Sequence, residues 1–299
     1  MRREPFSILL AGAQGQVGRE IAFIAKAKGI TMHAFDRQGL DISNATAVDT
    51  KISEIRPNLI INAAAYTAVD KAEEEVDKAY TVNRDGAKHL AQACAQYDIP
   101  LLHISTDYVF DGSKPDPYKE DDPVAPLGEY GKSKWQGEES IRQQLKQHII
   151  LRVAWVFGSH GHNFVKTMLR FGKERNELRV VDDQHGGPTP ARYIAETLII
   201  LAEKYRDSRK LEWGTYHYCG TPATTWYGFS EEIFSQSHRL GMLDKLVKVI
   251  PISTREYPTP ARRPANSILE CAKLRTTFGI QQPDWRIALK QVLAEIQKG

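Results

Sequence analysis

The chain has 299 residues, 41% of them hydrophobic and 26% charged, enough to bury one large core and a smaller lobe. Its 40 basic and 37 acidic side chains leave a formal net charge of only +3, spread along the chain, which excludes the field of a dedicated nucleic-acid binder and suits a small anionic substrate. The apolar stretch near the start runs only from Ile8 to Ala11, too short for a signal sequence or a spanning helix, and Cys94, Cys219 and Cys271 form no CxxC pair. A cytoplasmic chain is expected, with no membrane or nucleic-acid partner, no disulfide framework and no zinc cluster.

Through the first half, short apolar runs bounded by turn residues alternate with amphipathic stretches, the pattern of parallel strands joined by crossover helices. The expected fold class is α/β, a Rossmann-like doubly wound parallel sheet with a smaller C-terminal lobe for substrate. Strands are expected at 7–11, 32–35, 59–62, 101–105 and 149–155, and helices near 16–28, 69–80 and 130–145. Residues 1–158 read as the dinucleotide-binding domain. Residues 159–299, richer in Pro, Gly and aromatics, read mostly as a substrate lobe with some segments returning to the first domain.

Gly12, Gly15 and Gly18 follow the first strand as GxxGxxG, with Gln16 and Val17 inside the turn. At the mouth of a helix the missing side chains let backbone N–H groups approach a pyrophosphate. Asp36 ends the second strand at a spacing suited to a carboxylate that grips the adenosine ribose hydroxyls. Arg37 follows it. The acid favours NAD and the arginine accommodates the 2′-phosphate of NADP, so NADPH and NADH both stay open.

Tyr130 and Lys134, four apart on an expected helix, emerge on one face. A phenol is a poor proton shuttle at neutral pH unless a cation beside it stabilises the phenolate, and Lys134 is placed to supply that charge and to bind the nicotinamide ribose. The fourth strand ends in Ser105, Thr106 and Asp107, and ligands of open α/β sheets bind beyond the carboxyl ends of strands. Thr106 can therefore offer its hydroxyl to a carbonyl that Tyr130 protonates. Arg262 and Arg263 have the fork geometry to clamp a substrate pyrophosphate, and at least one is expected to do so.

The glycine turn, the run from Asn62 to Asp70, Ser105 to Gly112 and Tyr130 to Lys134, in this order, resemble the extended short-chain dehydrogenase/reductases. The chain is most similar to the dTDP-4-dehydrorhamnose reductase family. Val82-Asn83, Trp155-Val156, Asn163-Phe164, Asp183-Gln184 with Gly186, Pro188-Thr189, Arg263-Pro264 and Asn266-Ser267 extend the match over nearly the whole chain. The resemblance implies a catalytic set of Thr106, Tyr130 and Lys134 that reduces a 4-keto group of a dTDP-linked sugar with a nicotinamide hydride. It places Asp41 and Ile42 near the adenine, and Ala63, Ala64, Thr67 and Ser105 along the dinucleotide. Asp107 and Val109 join the substrate site; Trp155 either sits beside the sugar or fills core at a strand end. Asn83 holds backbone near the site in this family.

Tyr108 stands where the related dehydratases carry a glutamate, which disfavours dehydration. Some members of the family dimerise through magnesium held by acids after a GxPT segment. Here Arg192 follows Pro188-Thr189-Pro190-Ala191, so magnesium, possible by analogy, has no support from these residues, although a homodimer stays open. Glu20 and the run Glu73-Glu74-Glu75 read as solvated helix faces, and His160 and His162 lack a third ligand for a metal. Two other readings stay open: a reductase of another nucleotide-linked 4-keto-6-deoxysugar, and a non-catalytic regulatory subunit of the methionine adenosyltransferase type, against which the intact Tyr130 and Lys134 argue.

Overall fold

A computed structural model describes residues 6–298. Its central sheet is built from β1 (Ser7–Ala11), β2 (Thr31–Phe35), β3 (Leu59–Asn62), β4 (Leu101–Thr106), β5 (His148–Val153) and the later strand Gly214–Tyr218. All six are parallel, in the order Gly214–Tyr218, β5, β4, β3, β1, β2. The continuous apolar runs follow from burial on both faces: Leu9, Leu10, Ile60, Ile61, Leu101, Leu102 and Ile149 to Leu151 are all 0% exposed.

The helices are α1 (Gln16–Ala27), α2 (Ala45–Ile55), α3 (Val76–Tyr80), α4 (Gly86–Tyr97), α5 (Glu129–Gln144), α6 (Phe164–Glu174), α7 (Ala191–Ser208), α8 (Trp226–Arg239), α9 (Ala272–Phe278) and α10 (Trp285–Lys298). α1 and α7 cover one face of the sheet, and α2, α4 and α5 the other. The sheet is thus doubly wound, and strand order reverses between β1 and β3, where a crevice opens at the carboxyl ends. A second core packs α6, α8 and α10 around Phe157, Met168, Phe229, Phe234 and Trp285. It is flanked by a parallel pair of strands, Glu177–Val181 and Lys248–Ile252. Among the described residues no helix is long and apolar enough to cross a membrane.

Two expected elements differ. The strand expected to reach residue 155 stops at Val153, because Trp155 takes a left-handed φ of +47° that no strand accommodates. The helix expected over 69–80 is broken into a 3-10 turn at Lys71–Glu73, then α3, then a π-helical turn at Thr81–Asp85 that runs into α4. The π turn carries buried Asn83, which donates to Ser133 on α5 (3.0 Å) and to the Tyr66 carbonyl (3.1 Å) while accepting from Tyr66 N–H (2.9 Å). Those bonds need α5 close by, and Gly137 permits it: a Cβ there would overlap the Asn83 carbonyl. Gly137→Ala should therefore lower the unfolding free energy by about 1–3 kcal/mol in a urea titration, the range for overpacking a tight contact.

Candidate functional site

Gly12 turns the chain out of β1 with φ +83°, and a Cβ there would lie 2.5 Å from the Ala64 nitrogen. Gly12 and Ala13 N–H both donate to Phe35 O at 2.9 Å, which ties the turn to the end of β2. α1 starts after Gly15 with no side-chain cap. Its first N–H groups are therefore left for an anion, and the bare turn lets a pyrophosphate reach them. These residues fit a dinucleotide. Asp36 closes the next turn, its Oδ1 accepting from Gln38 and Gly39 N–H at 3.0 Å each. Exposed Arg37 reaches Asp41 at 3.4 Å.

β4 and α5 deliver the reactive groups. The Thr106 hydroxyl donates to Asp107 Oδ1 (3.0 Å) and accepts from Tyr108 N–H (3.2 Å). Burial pushes the Tyr130 hydroxyl up to about 12, with neighbouring Thr106 opposing that rise and Asp107 adding to it. Tyr108 packs edge-to-face on Tyr130, centroids 5.7 Å apart. Lys134 is 2% exposed. Its Nζ donates to Ile104 O at 2.7 Å and lies 3.3 Å from His103 Nε2. Burial pushes it down to about 8, with Glu138 opposing. Both of these contacts are made to β4, and neither is to the phenol of Tyr130.

Asp107 is 2% exposed and its Oδ2 has no hydrogen-bond partner. Burial pushes its carboxyl up to about 7, with neighbouring Ser267 and Thr106 opposing. An unpartnered carboxyl oxygen beside Thr106 and Tyr130 is the polar atom of this region left for a ligand.

Several expected contacts are corrected. The Ser105 hydroxyl points away from the crevice and donates to buried Glu138 at 2.5 Å, because alternation along β4 turns it towards α5. Val109 is 0% exposed and packs with Phe110 and Leu269, so its side chain is core and not substrate surface. Arg263 is not a free clamp: its guanidinium forks onto Asp70 at 3.0 and 2.8 Å and holds that carboxyl below its usual range, which leaves exposed Arg262 as the available cation. Val17 and Ile42 are buried in the cores on the two faces of the sheet. The Gln16 side chain accepts from Asn163 Nδ2 at 2.8 Å. Val17 and Ile42 can therefore meet a dinucleotide only through the backbone. Ala63 and Ala64 border the Gly12 turn, and Thr67 is exposed. Trp155 is half-buried and stacks on Trp226 at 3.5 Å, with Gly186 so close that a Cβ there would collide with the indole.

Other residues of the site carry no motif of their own in the sequence. Glu138 sits one turn beyond Lys134, and that spacing was available. It accepts from Ser105, from Arg152 (3.0 and 2.7 Å) and from Arg142 (2.7 Å). Burial would raise this carboxyl, but Arg152 and Arg142 hold it below its usual range. Glu73, read as a solvated acid, accepts from Glu129 N–H at 2.8 Å and so caps α5.

The residues at the place of the family's magnesium do not fit a cation. Arg192 occupies it, reaching Glu196 at 3.4 Å and Glu295 at 3.5 Å, while Glu20 faces His160 at 3.7 Å. A guanidinium already supplies the positive charge these carboxylates face. Burial, with Glu295 second, raises Glu20, which favours its proton-bearing form over a metal ligand.

The raised pKa of Asp107 predicts a pH-dependent stability. The folded chain holds this proton more tightly than the unfolded chain, so the stabilisation is complete below about pH 4 and is lost as pH rises to about 7. Asp107→Asn cannot ionise. Its melting temperature relative to the parent should climb between pH 4 and 7 and level off above; a constant difference would refute the assignment.

Comparison with known proteins accords with this geometry. A family model described as the RmlD substrate binding domain matches residues 6–298. The dTDP-4-dehydrorhamnose reductase of Aggregatibacter actinomycetemcomitans is 46% identical over 288 residues, 96% of this chain and 98% of that one. The enzyme of the same name from Escherichia coli K12 is 38% identical, covering 97% and 98%. Among solved structures, a dTDP-4-dehydrorhamnose reductase from Clostridium acetobutylicum superposes with a TM-score of 0.90 at 41% identity, over 98% of this chain and 100% of that one. Its counterpart from Bacillus anthracis, in complex with NADP, gives 0.90 at 37% identity over 97% and 99%. The chain therefore belongs to the dTDP-4-dehydrorhamnose reductase family.

Proposed function

We propose that the chain reduces the 4-keto group of dTDP-4-dehydro-L-rhamnose to give dTDP-L-rhamnose, with NADPH or NADH as reductant. The observation that carries this reading is the row Tyr130, Thr106 and Asp107 at the carboxyl end of β4, across the crevice from the Gly12 turn. The backbone of 12–17 would receive the cofactor pyrophosphate and Asp36, with Arg37 beside it, would meet the adenosine ribose; the chemistry the nicotinamide would supply when bound is hydride for the carbonyl carbon. Tyr130 donates its hydrogen bond to the carbonyl oxygen and releases its proton as negative charge grows there. Thr106 offers its hydroxyl to the same carbonyl oxygen. Charged Lys134, turned back towards Tyr130, stabilises the phenolate that remains.

Asp107 offers the sugar a carboxyl able to accept or donate near neutral pH. Trp155 presents an indole face beside the sugar, and Arg262 a guanidinium for the diphosphate. The second lobe, α6 and α8 with the strands beside them, shapes the pocket that selects the sugar. We place the reaction in the cytoplasm, where the three free buried thiols of this chain stay reduced.

The direct test follows NAD(P)H absorbance with dTDP-4-dehydro-L-rhamnose, comparing NADH with NADPH and then isomeric dTDP keto-sugars. Rapid oxidation with dTDP-L-rhamnose as product supports the reading; faster turnover of another isomer reassigns the substrate. Tyr130→Phe should bind NADPH as the parent does and lose turnover by about 10²–10⁴-fold, the usual contribution of a positioned general acid. An active Phe variant would remove Tyr130 from this role.

A further inference from the structure

Behind the catalytic helix a chain of three buried polar side chains ends on Lys134. At the end of β3, Asn62 Oδ1 accepts from Ala64 N–H at 3.0 Å, which settles which end of the carboxamide is oxygen. The Nδ2 end must then be the atom 3.0 Å from His103 Nδ1, and an amide nitrogen can only donate. His103 Nδ1 is therefore the acceptor. The ring is 1% exposed, and burial keeps it neutral at ordinary pH. A neutral imidazole that accepts at Nδ1 carries its single proton on Nε2.

That Nε2–H lies 3.3 Å from Lys134 Nζ. An ammonium has three donors and no acceptor, so it cannot receive this proton, whereas an amine can accept it while donating to Ile104 O at 2.7 Å. The position observed for Lys134 is thus built for the uncharged side chain. An ammonium keeps only the bond to Ile104 O there, and the helix places Tyr130 one turn away, where negative charge is to be stabilised.

We infer that His103 is a positioning residue for Lys134: its Nε2–H holds the lysine as an amine against β4 and releases it towards Tyr130 when it is charged. The inference rests on the keto-sugar reductase reading for its catalytic meaning. Around Lys134 the titratable and charged groups are Tyr130 and Glu138 on α5 and His103 on β4. Arg142 on α5 and Arg152 on β5 neutralise Glu138, and His148 on β5 acts on His103. No other carboxylate among the described residues is recorded as acting on Lys134 to offset the preference for the amine.

A hydrogen bond given to the uncharged form lowers the pKa of a base. If catalysis needs the ammonium, activity falls as pH rises through the lysine's pKa, about 8, and weakening the His103 contact moves that fall upward. Two variants separate the contacts. In His103→Asn the shorter amide can still accept from Asn62 but does not reach Lys134. In His103→Gln the longer amide reaches Lys134 and can present an oxygen to the ammonium.

The experiment records nitrogen-detected NMR of the imidazoles in the parent protein, and the pH profiles of kcat and kcat/KM for parent and both variants. Expected are the Nε2–H tautomer for His103 and a basic limb displaced upward by about one pH unit in both variants, so that each keeps several-fold more of its own maximum at high pH than the parent. An Nδ1–H tautomer, or variants slowed equally at every pH with the limb in place, overturns the inference and leaves His103 a structural residue. Should a variant fail to fold, the tautomer and the other variant decide. A parent protein that binds NADPH but turns over no keto-sugar refutes the reductase reading instead, and the tautomer still tests the geometry.

Discussion

A carboxylate buried among cations holds helix α5 to the sheet, and the positions of the reactive groups depend on it. Glu138 is 0% exposed and takes hydrogen bonds from Ser105, Arg152 and Arg142, so that strands β4 and β5 are both fastened to the helix. Removing one partner of such a pair costs about 3–5 kcal/mol, because the charge left behind has no water to turn to. The helix cannot slide or rotate without breaking this set. Two residues along a strand advance about 6.6 Å and four along a helix about 6 Å, so Ser105 and His103 on β4 meet Glu138 and Lys134 on α5 in matching register.

The same helix is fastened at its outer edge by the loop that follows β3. Asn83 joins Ser133 to the backbone of Tyr66, and Glu73 caps the helix at Glu129. The segment that borders the Gly12 turn is therefore tied to the helix that carries the acid. A dinucleotide laid on α1 and a ketone held by Tyr130 are brought together by this one polar seam. The π turn at Thr81–Asp85 is its backbone signature, in keeping with the tendency of such turns to mark functional places.

The two cores meet across the crevice through few contacts of defined chemistry. Arg263, spent on Asp70, bridges the segment before α9 to the loop after β3. Trp155, in its left-handed conformation, turns its indole out of the sheet and onto Trp226 of α8. A bulky residue at positive φ is costly and persists where packing on both sides leaves no alternative. These two side chains join segments far apart in the chain.

Much of this was legible in the sequence for a physical reason: the features concerned are local. Apolar runs covered on both faces announce β1, β3, β4 and β5. Gly18 is a glycine because a Cβ would strike the Gly12 backbone within the same turn, and Tyr130 with Lys134 shares a helix face by spacing alone. What only the tertiary structure decided are the partners of long polar side chains, which depend on segments far apart in the chain. Arg263 faces Asp70 across 193 residues, Ser105 faces Glu138 across 33, and Lys134 faces His103 across 31. A guanidinium or hydroxyl reads the same in sequence whether it waits for a ligand or is already bonded. Only burial and the direction of its neighbours distinguish the two, and both arise when strand, helix and second core close on one another.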